Sequence, residues 1–315
     1  MQKTILDVRR LRVAFRGYPA VNDISYQIKQ GEILGIVGES GCGKSLTALT
    51  TMGLQPKVMQ ASGEVNFNDK NLLENTEKEW QKVRGEGIAM IFQEPMTALN
   101  PVTTVGDQVA EMFQLHQGYS KKEAAEKAVE MLNVVHIPDP TKRAKAYPHE
   151  LSGGMRQRVV IAMALACKPS LIIADEPTTA LDVTVQAQVL DLLEELREAT
   201  GTAIQFISHN LGVVSQLAEN VVVMYAGRIV ERATAEELFA NPQHPYTVGL
   251  LGTLPRIGMA RGELPSIPGA VPPLDQRGSG CPFVDRCSRA TPSCTAEMPE
   301  EVELSKVHSV ACHHL

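Results

Sequence analysis

The chain has 315 residues, 43% of them hydrophobic, enough for a full core in one large or two modest domains. A formal charge of −6 with no long Lys/Arg run argues against a nucleic-acid footprint. No stretch approaches the roughly 18 apolar residues of a membrane-spanning helix. The opening Met1-Gln2-Lys3-Thr4-Ile5-Leu6-Asp7 also lacks a signal peptide's apolar core, so a cytosolic chain with reduced or metal-bound cysteines is expected.

Residues 6–13 and the alternating Ile24-Ser25-Tyr26-Gln27-Ile28 read as strands, and Lys29-Gln30-Gly31 as a turn. Phe15 and Tyr18 are candidates to stack on a nucleotide base, although an aromatic beside a strand serves plain packing equally well. Residues 32–37 are apolar enough for a buried strand. They lead into Gly38-Glu39-Ser40-Gly41-Cys42-Gly43-Lys44-Ser45, which fits the phosphate-binding pattern G-x-x-x-x-G-K-[ST]. Residues 45–54 read as the helix that follows. Glycines let backbone N–H groups close round a phosphate, and the helix N-terminus adds partial positive charge. Lys44 then reaches the β- and γ-phosphates and Ser45 ligates Mg²⁺.

Residues 62–68 read as a strand turning at Asn68-Asp69, and residues 88–92 as a buried strand ending at Gln93. A Gln in that place suits a Mg²⁺ ligand or a contact to attacking water; a surface Gln is the plainer reading. Pro95 and Pro101 punctuate the next loop. Residues 105–117 and 121–132 have helical spacing, the second with a charged, solvated face. Pro138, Pro140 and Pro148 end the pattern, so a helical insertion in an α/β core is expected.

Leu151-Ser152-Gly153-Gly154 opens a buried helix over residues 159–166, with Ser152 as N-cap. Two glycines at a helix start suit a second anion site, which invites a partner chain's nucleotide; a capped helix without ligand is the alternative. Leu171-Ile172-Ile173-Ala174-Asp175-Glu176 is an apolar strand ending in two carboxylates. After a phosphate loop, Asp175 suits Mg²⁺ held through water, and Glu176 suits a general base for attacking water. Asp182 lies in a loop before an amphipathic helix over residues 186–199 that Gly201 caps. A strand over residues 203–208 ends at His209, a candidate γ-phosphate contact. Residues 221–231 read as a hairpin about Ala226-Gly227.

In this order the motifs resemble the nucleotide-binding subunit of an ABC transporter over about residues 5–240: Walker A (38–45), Q-loop Gln93, LSGG signature (151–154), Walker B (171–175), Glu176, D-loop Asp182 and switch His209. The resemblance implies an α/β fold: a P-loop, RecA-like ABC ATPase core with an N-terminal β subdomain, an inserted helical subdomain over about residues 94–165, and a small loop-rich C-terminal extension over 241–315. It implies ATP contacts at Phe15 (the family's A-loop position, with Tyr18 as alternative), Gly38, Ser40, Gly41, Cys42, Gly43, Lys44, Ser45 and Leu46. Mg²⁺ falls to Ser45, Gln93 and Asp175, and catalysis to Glu176, His209 and Gln93. Two such subunits sandwich ATP head to tail, so Ser152, Gly153, Gly154 and Asp182 face the partner's nucleotide. Asn210 departs from the family, which usually has Asp after the switch His.

Beyond position 240, Asn241-Pro242-Gln243-His244-Pro245-Tyr246-Thr247, Leu264-Pro265-Ser266-Ile267-Pro268-Gly269 and Gly280-Cys281-Pro282-Phe283-Val284-Asp285-Arg286-Cys287 resemble the C-terminal region of oligopeptide, dipeptide and nickel importer ATPases. That implies peptide uptake, with nickel or another small solute as alternative cargo. It also implies a related second ATPase, two permease chains, an extracytoplasmic solute-binding protein, and a place on the cytoplasmic face of the membrane. Cys281, Cys287, Cys294 and Cys312, spaced C-x5-C-x6-C-x17-C, are expected to hold a [4Fe–4S] cluster. Zn²⁺ with help from His308, His313 or His314 is the alternative, and four reduced cysteines the third reading. A single ATPase unit without heptads disfavours a soluble ribosome- or DNA-acting relative, and the C-terminal stretch disfavours an exporter.

Overall fold

The computed structural model describes residues 3–179, 181–254 and 266–315. Leu264 and Pro265 of the Leu264–Gly269 motif, and the first two residues of the N-terminal stretch, lie outside the described residues. The chain divides into two compact units. One is centred on residues 75–205; the other combines residues 4–28, 32–74 and 206–315.

In the second unit, strands Thr4–Phe15 and Tyr18–Lys29 pair with Met59–Phe67 and Lys70–Asn71 in a four-stranded sheet, in the order Tyr18–Lys29, Thr4–Phe15, Met59–Phe67, Lys70–Asn71. The expected strand at 24–28 is the alternating centre of a longer one. Arg16 and Gly17, both with positive φ, make the two-residue turn between the first strands, and Asn68 and Asp69 make another.

The unit's other strands run in the order Glu301–Ser305, His308–Ala311, Arg228–Thr234, Asn220–Tyr225, Ile33–Val37. Ile33–Val37 is buried throughout and runs parallel to Asn220–Tyr225, with Val37 opposite Val223. A strand covered on both faces needs a continuous apolar run, which is what residues 33–37 supply. The hairpin at Ala226-Gly227 forms with Arg228 opposite Tyr225. Between residues 266 and 300 the tail is mostly loop, as expected. Its last residues form a hairpin whose second strand sets Val310 against Glu231.

In the first unit, Leu171–Asp175 is wholly buried and parallel to Ile88–Ile91, with Ala174 opposite Ile91. Strand Ala203–Ser208 neighbours it; this strand starts in the first unit and ends in the second. The helical insertion consists chiefly of Val105–Gln117, Lys121–Val134 and Gly153–Leu165. Thr104 caps the first by accepting from the Asp107 N–H, and Gly118 ends it in the left-handed conformation. Ser120 and Glu123 form a capping box on the second, whose Ala124, Ala128 and Leu132 are buried at four-residue spacing.

Candidate active site

The phosphate loop joins the buried strand Ile33–Val37 to helix Lys44–Thr51. Gly38 has φ 152, and a Cβ there would stand 2.2 Å from the Met224 carbonyl oxygen, so no side chain fits. Gly43 caps the helix at φ 95, where L-residues are strained. No side chain caps this helix and no acidic residue lies in its first turn, the chemistry of a terminus left for an anion. Lys44 is only 4% exposed. Its Nζ donates to the carbonyls of Gly38 at 2.7 Å and Glu39 at 3.0 Å, which fixes the ammonium inside the curve of the loop. Ser45 and Leu46 are half-buried in the first helical turn, and Ser40 and Gly41 are exposed. These residues fit a nucleotide's phosphates and, at the Ser45 hydroxyl, a Mg²⁺ ion. Cys42 is fully buried and burial raises its thiol pKa, so it stays a neutral packing group.

Both candidate base-stacking residues flank the first turn of the same unit. Phe15 is half-buried with the Arg16 guanidinium 5.1 Å from its ring centre; Tyr18 is 48% exposed. His209 is exposed at the end of Ala203–Ser208. Asn210, the departure from the family pattern, caps helix Leu211–Leu217 by accepting from the Gly212 N–H at 3.0 Å. Asn and Asp serve that role equally, so the departure has a local physical account.

The first unit holds the other candidates. Asp175 is buried at the strand's last position. Glu176 follows at φ 48, a left-handed backbone unusual for a carboxylate residue. Its Oε2 accepts from Gln93 Nε2 at 3.1 Å and from Thr179 Oγ1 at 3.0 Å. The structure thus brings Gln93 and Glu176 together; sequence distance gave no hint of it. Ser152 caps Gly153–Leu165 and Asp182 caps Val183–Thr200, accepting from Met155 N and Val185 N respectively. The two helix starts lie close, since a Cβ on Gly154 would meet Val185 Cγ1 at 2.5 Å.

The cysteine expectation is corrected. Among the described residues, no group of three or more His, Cys, Asp or Glu side chains is arranged to hold a metal ion, so neither the [4Fe–4S] cluster nor the zinc alternative stands. The groups have other engagements. Burial raises the Cys281 thiol to about 11 and also raises Cys312. Cys294 Sγ lies 3.4 Å from both Thr291 Oγ1 and His314 Nε2. His308 is buried against Glu231 and Glu237, and His313 Nε2 lies 3.1 Å from the Glu297 carbonyl oxygen. Sequence reasoning also missed three side chains after position 240 that reach the phosphate loop: Tyr246, Arg277 and Arg286.

A phosphate loop with its buried lysine, opening a helix from a parallel strand, defines a P-loop nucleotide hydrolase. Comparison with known proteins narrows this. The ABC transporter family matches residues 21–179, and the oligopeptide/dipeptide transporter C-terminal region matches residues 230–294. A probable peptide ABC transporter ATP-binding protein of Sinorhizobium fredii is 53% identical, over 98% of this chain and 94% of its own. The dipeptide transport ATP-binding protein DppD of Bacillus subtilis is 48% identical over 98% and 94%. The oligopeptide transport ATP-binding protein OppD of Salmonella typhimurium is 50% identical over 94% and 90%. Among solved structures, cbiO1 of Clostridium perfringens, part of the ABC transporter complex cbiONQ, has a TM-score of 0.66 at 29% identity, over 76% of this chain and 92% of that one. A dimer of the ATP-binding cassette MJ0796 with ADP and Pi has a TM-score of 0.65 at 27% identity, over 73% and 99%. The chain belongs to the ABC transporter family and is an ATPase of the kind that drives transport.

Proposed function

We propose that this chain is the ATP-hydrolysing subunit of a peptide importer. Full-length similarity of about half the residues to peptide-import ATP-binding proteins, C-terminal region included, carries the reading. The division of labour is an ATPase core over residues 1–240, with its helical subdomain at about 94–165, and the importer-type extension over 241–315. Among the described residues no helix is long and apolar enough to cross a membrane. Like the ATP-binding subunits it resembles, the subunit works as a peripheral protein on the cytoplasmic face, beneath two permease chains that an extracytoplasmic solute-binding protein supplies with peptide.

Phe15, with Tyr18 as alternative, stacks on the adenine, and Gly38, Ser40, Gly41, Cys42, Gly43, Lys44, Ser45 and Leu46 surround the phosphates. Ser45, Gln93 and, through water, Asp175 are the residues that would hold Mg²⁺, which offsets charge on the β- and γ-phosphate oxygens when bound. The Glu176 carboxylate takes a proton from the attacking water, a role typically worth ~10²–10⁴-fold. Gln93 fixes one oxygen of that carboxylate, and His209 contacts the γ-phosphate. Ser152, Gly153, Gly154 and Asp182 close on nucleotide held by a second ATPase subunit, a related paralogue. ATP bridging favours the closed pair and hydrolysis releases it.

The test is uptake of a labelled dipeptide by cells lacking this chain. Restored uptake with wild type but not with Glu176→Gln is expected. Uptake that is normal without the chain would overturn the peptide assignment.

A further inference from the structure

Glu39 is the second residue of the phosphate loop, where a negative charge opposes the arrival of a polyanion. Its carboxylate is gripped from far along the chain. Arg286 donates from Nη1 to Glu39 Oε2 at 2.6 Å and from Nη2 to Oε1 at 3.0 Å. This two-pronged geometry is the strong form of a charge-assisted bond. The Arg286 side chain is 5% exposed and that of Glu39 31%, so solvent screens the pair only in part.

The guanidinium is itself held in place. Nε donates to the Pro268 carbonyl at 2.8 Å and Nη1 to the Tyr225 hydroxyl at 3.2 Å. It sits 5.7 Å from the ring centres of Tyr225 and Phe283. Two more residues of the extension reach the loop. The Tyr246 hydroxyl accepts from the Glu39 N–H at 2.8 Å, and Arg277 donates to the carbonyls of Ala226 at 2.8 Å and Gly41 at 3.4 Å. Tyr225, Tyr246 and Phe283 form one ring cluster, with centres 4.6–5.4 Å apart.

We propose that Arg286 is a positioning residue of the ATP site: it neutralises Glu39 within the phosphate loop, so the C-terminal extension sets the affinity for nucleotide. The inference rests on the assignment of residues 38–45 as the phosphate site. If Arg286 acts through charge, its removal leaves Glu39 repelling the phosphates, and neutralising Glu39 cures the defect. A mere staple between extension and core predicts the reverse, because the double change also breaks the staple.

The experiment measures ATP affinity and turnover on the full chain for wild type, Arg286→Met, Glu39→Gln and the double variant. Methionine keeps an apolar stem against Tyr225 and Phe283, which guards folding; circular dichroism checks it. Arg286→Met is expected to weaken ATP binding on the order of tenfold, with turnover at saturating ATP changed by less than about twofold. Adenosine, which carries no phosphate, binds both alike. The double variant recovers to within about threefold of Glu39→Gln alone. Unchanged ATP affinity in Arg286→Met, or a double variant as weak as Arg286→Met, overturns the proposal. Should Arg286→Met misfold while the double variant folds, the unpaired charge is again the cause; misfolding of both overturns it in favour of a staple. Failure of wild type to bind ATP would instead reject the phosphate-site assignment.

Discussion

Lys44 is buried and held by two backbone carbonyls inside a loop that the C-terminal extension touches at Glu39 and Gly41. Gln93, by contrast, is exposed. Its amide donates to the Glu176 carboxylate, and Ser152, Gly153 and Asp182 lie exposed at the starts of two helices. The difference teaches which half of the chemistry is built in advance. Binding needs a rigid cradle, because donors fixed before the phosphate arrives need no ordering on arrival. Gln93 itself lies exposed to solvent, and under the proposed function nucleotide and a second subunit complete the Gln93–Glu176 edge.

The contrast is broken most severely by releasing the extension from within. Glu231 is 1% exposed and accepts from the N–H groups of Gln243 at 2.7 Å and His244 at 2.9 Å, with His308 Nε2 at 2.8 Å. It thereby ties the entry to helix Pro245–Gly252 and the last strand to one carboxylate. Glu231→Ala is expected to destabilise the protein by about 3–5 kcal/mol in urea unfolding, since it orphans several buried donors at once. A loss under about 1 kcal/mol would contradict that role.

Next in size is an acid-sensitive anchor. His244 is 1% exposed, and burial lowers its pKa from 6.5 to about 4. Its Nδ1 accepts from the Tyr246 N–H at 3.0 Å, which needs the neutral ring. A lowered base pKa means that the unfolded chain takes the proton first. The stabilisation is therefore whole above about pH 6.5 and is lost as pH falls towards 4, on the order of 3 kcal/mol in all. His244→Asn keeps a capping acceptor without that titration. Wild type should lose about 3 kcal/mol more than His244→Asn between pH 6.5 and 4; parallel curves would refute the assignment.

The smallest effect falls on the exposed edge. Ser152→Ala removes the N-cap of Gly153–Leu165, whose bond to Met155 N is 3.3 Å long. A cost of about 1 kcal/mol or less is expected in the isolated chain. Under the proposed function, in which Ser152 also serves a second subunit's nucleotide, ATPase activity should fall further than that cost explains. Activity that follows stability alone would remove Ser152 from the shared site.

Local rules made much of this legible in the sequence. The phosphate loop, the apolar strands ending at Val37 and Asp175, the turns at Asn68-Asp69 and Ala226-Gly227, and the caps Ser152 and Gly201 each follow from a few adjacent residues. The misses are long-range. Nothing near Glu39 announces Arg286, 247 positions away, and nothing near Gln93 announces Glu176. The tail's cysteine spacing suggested a metal site, whereas the described side chains offer none. Spacing constrains which groups are able to meet, but folding decides which do. The closing hairpin was missed because its first strand, Glu301–Ser305, is exposed throughout and lacks the half-buried pattern of most sheet strands.

The most direct test of the contrast between the phosphate loop and Glu176 is ATP binding and single-turnover hydrolysis, measured together on Glu176→Gln. The account predicts ATP affinity within about threefold of wild type, and hydrolysis slower by ~10²–10⁴-fold. Near-normal hydrolysis with affinity intact would contradict the assignment of Glu176 as the base. Loss of binding would show that the two regions are not separable as described.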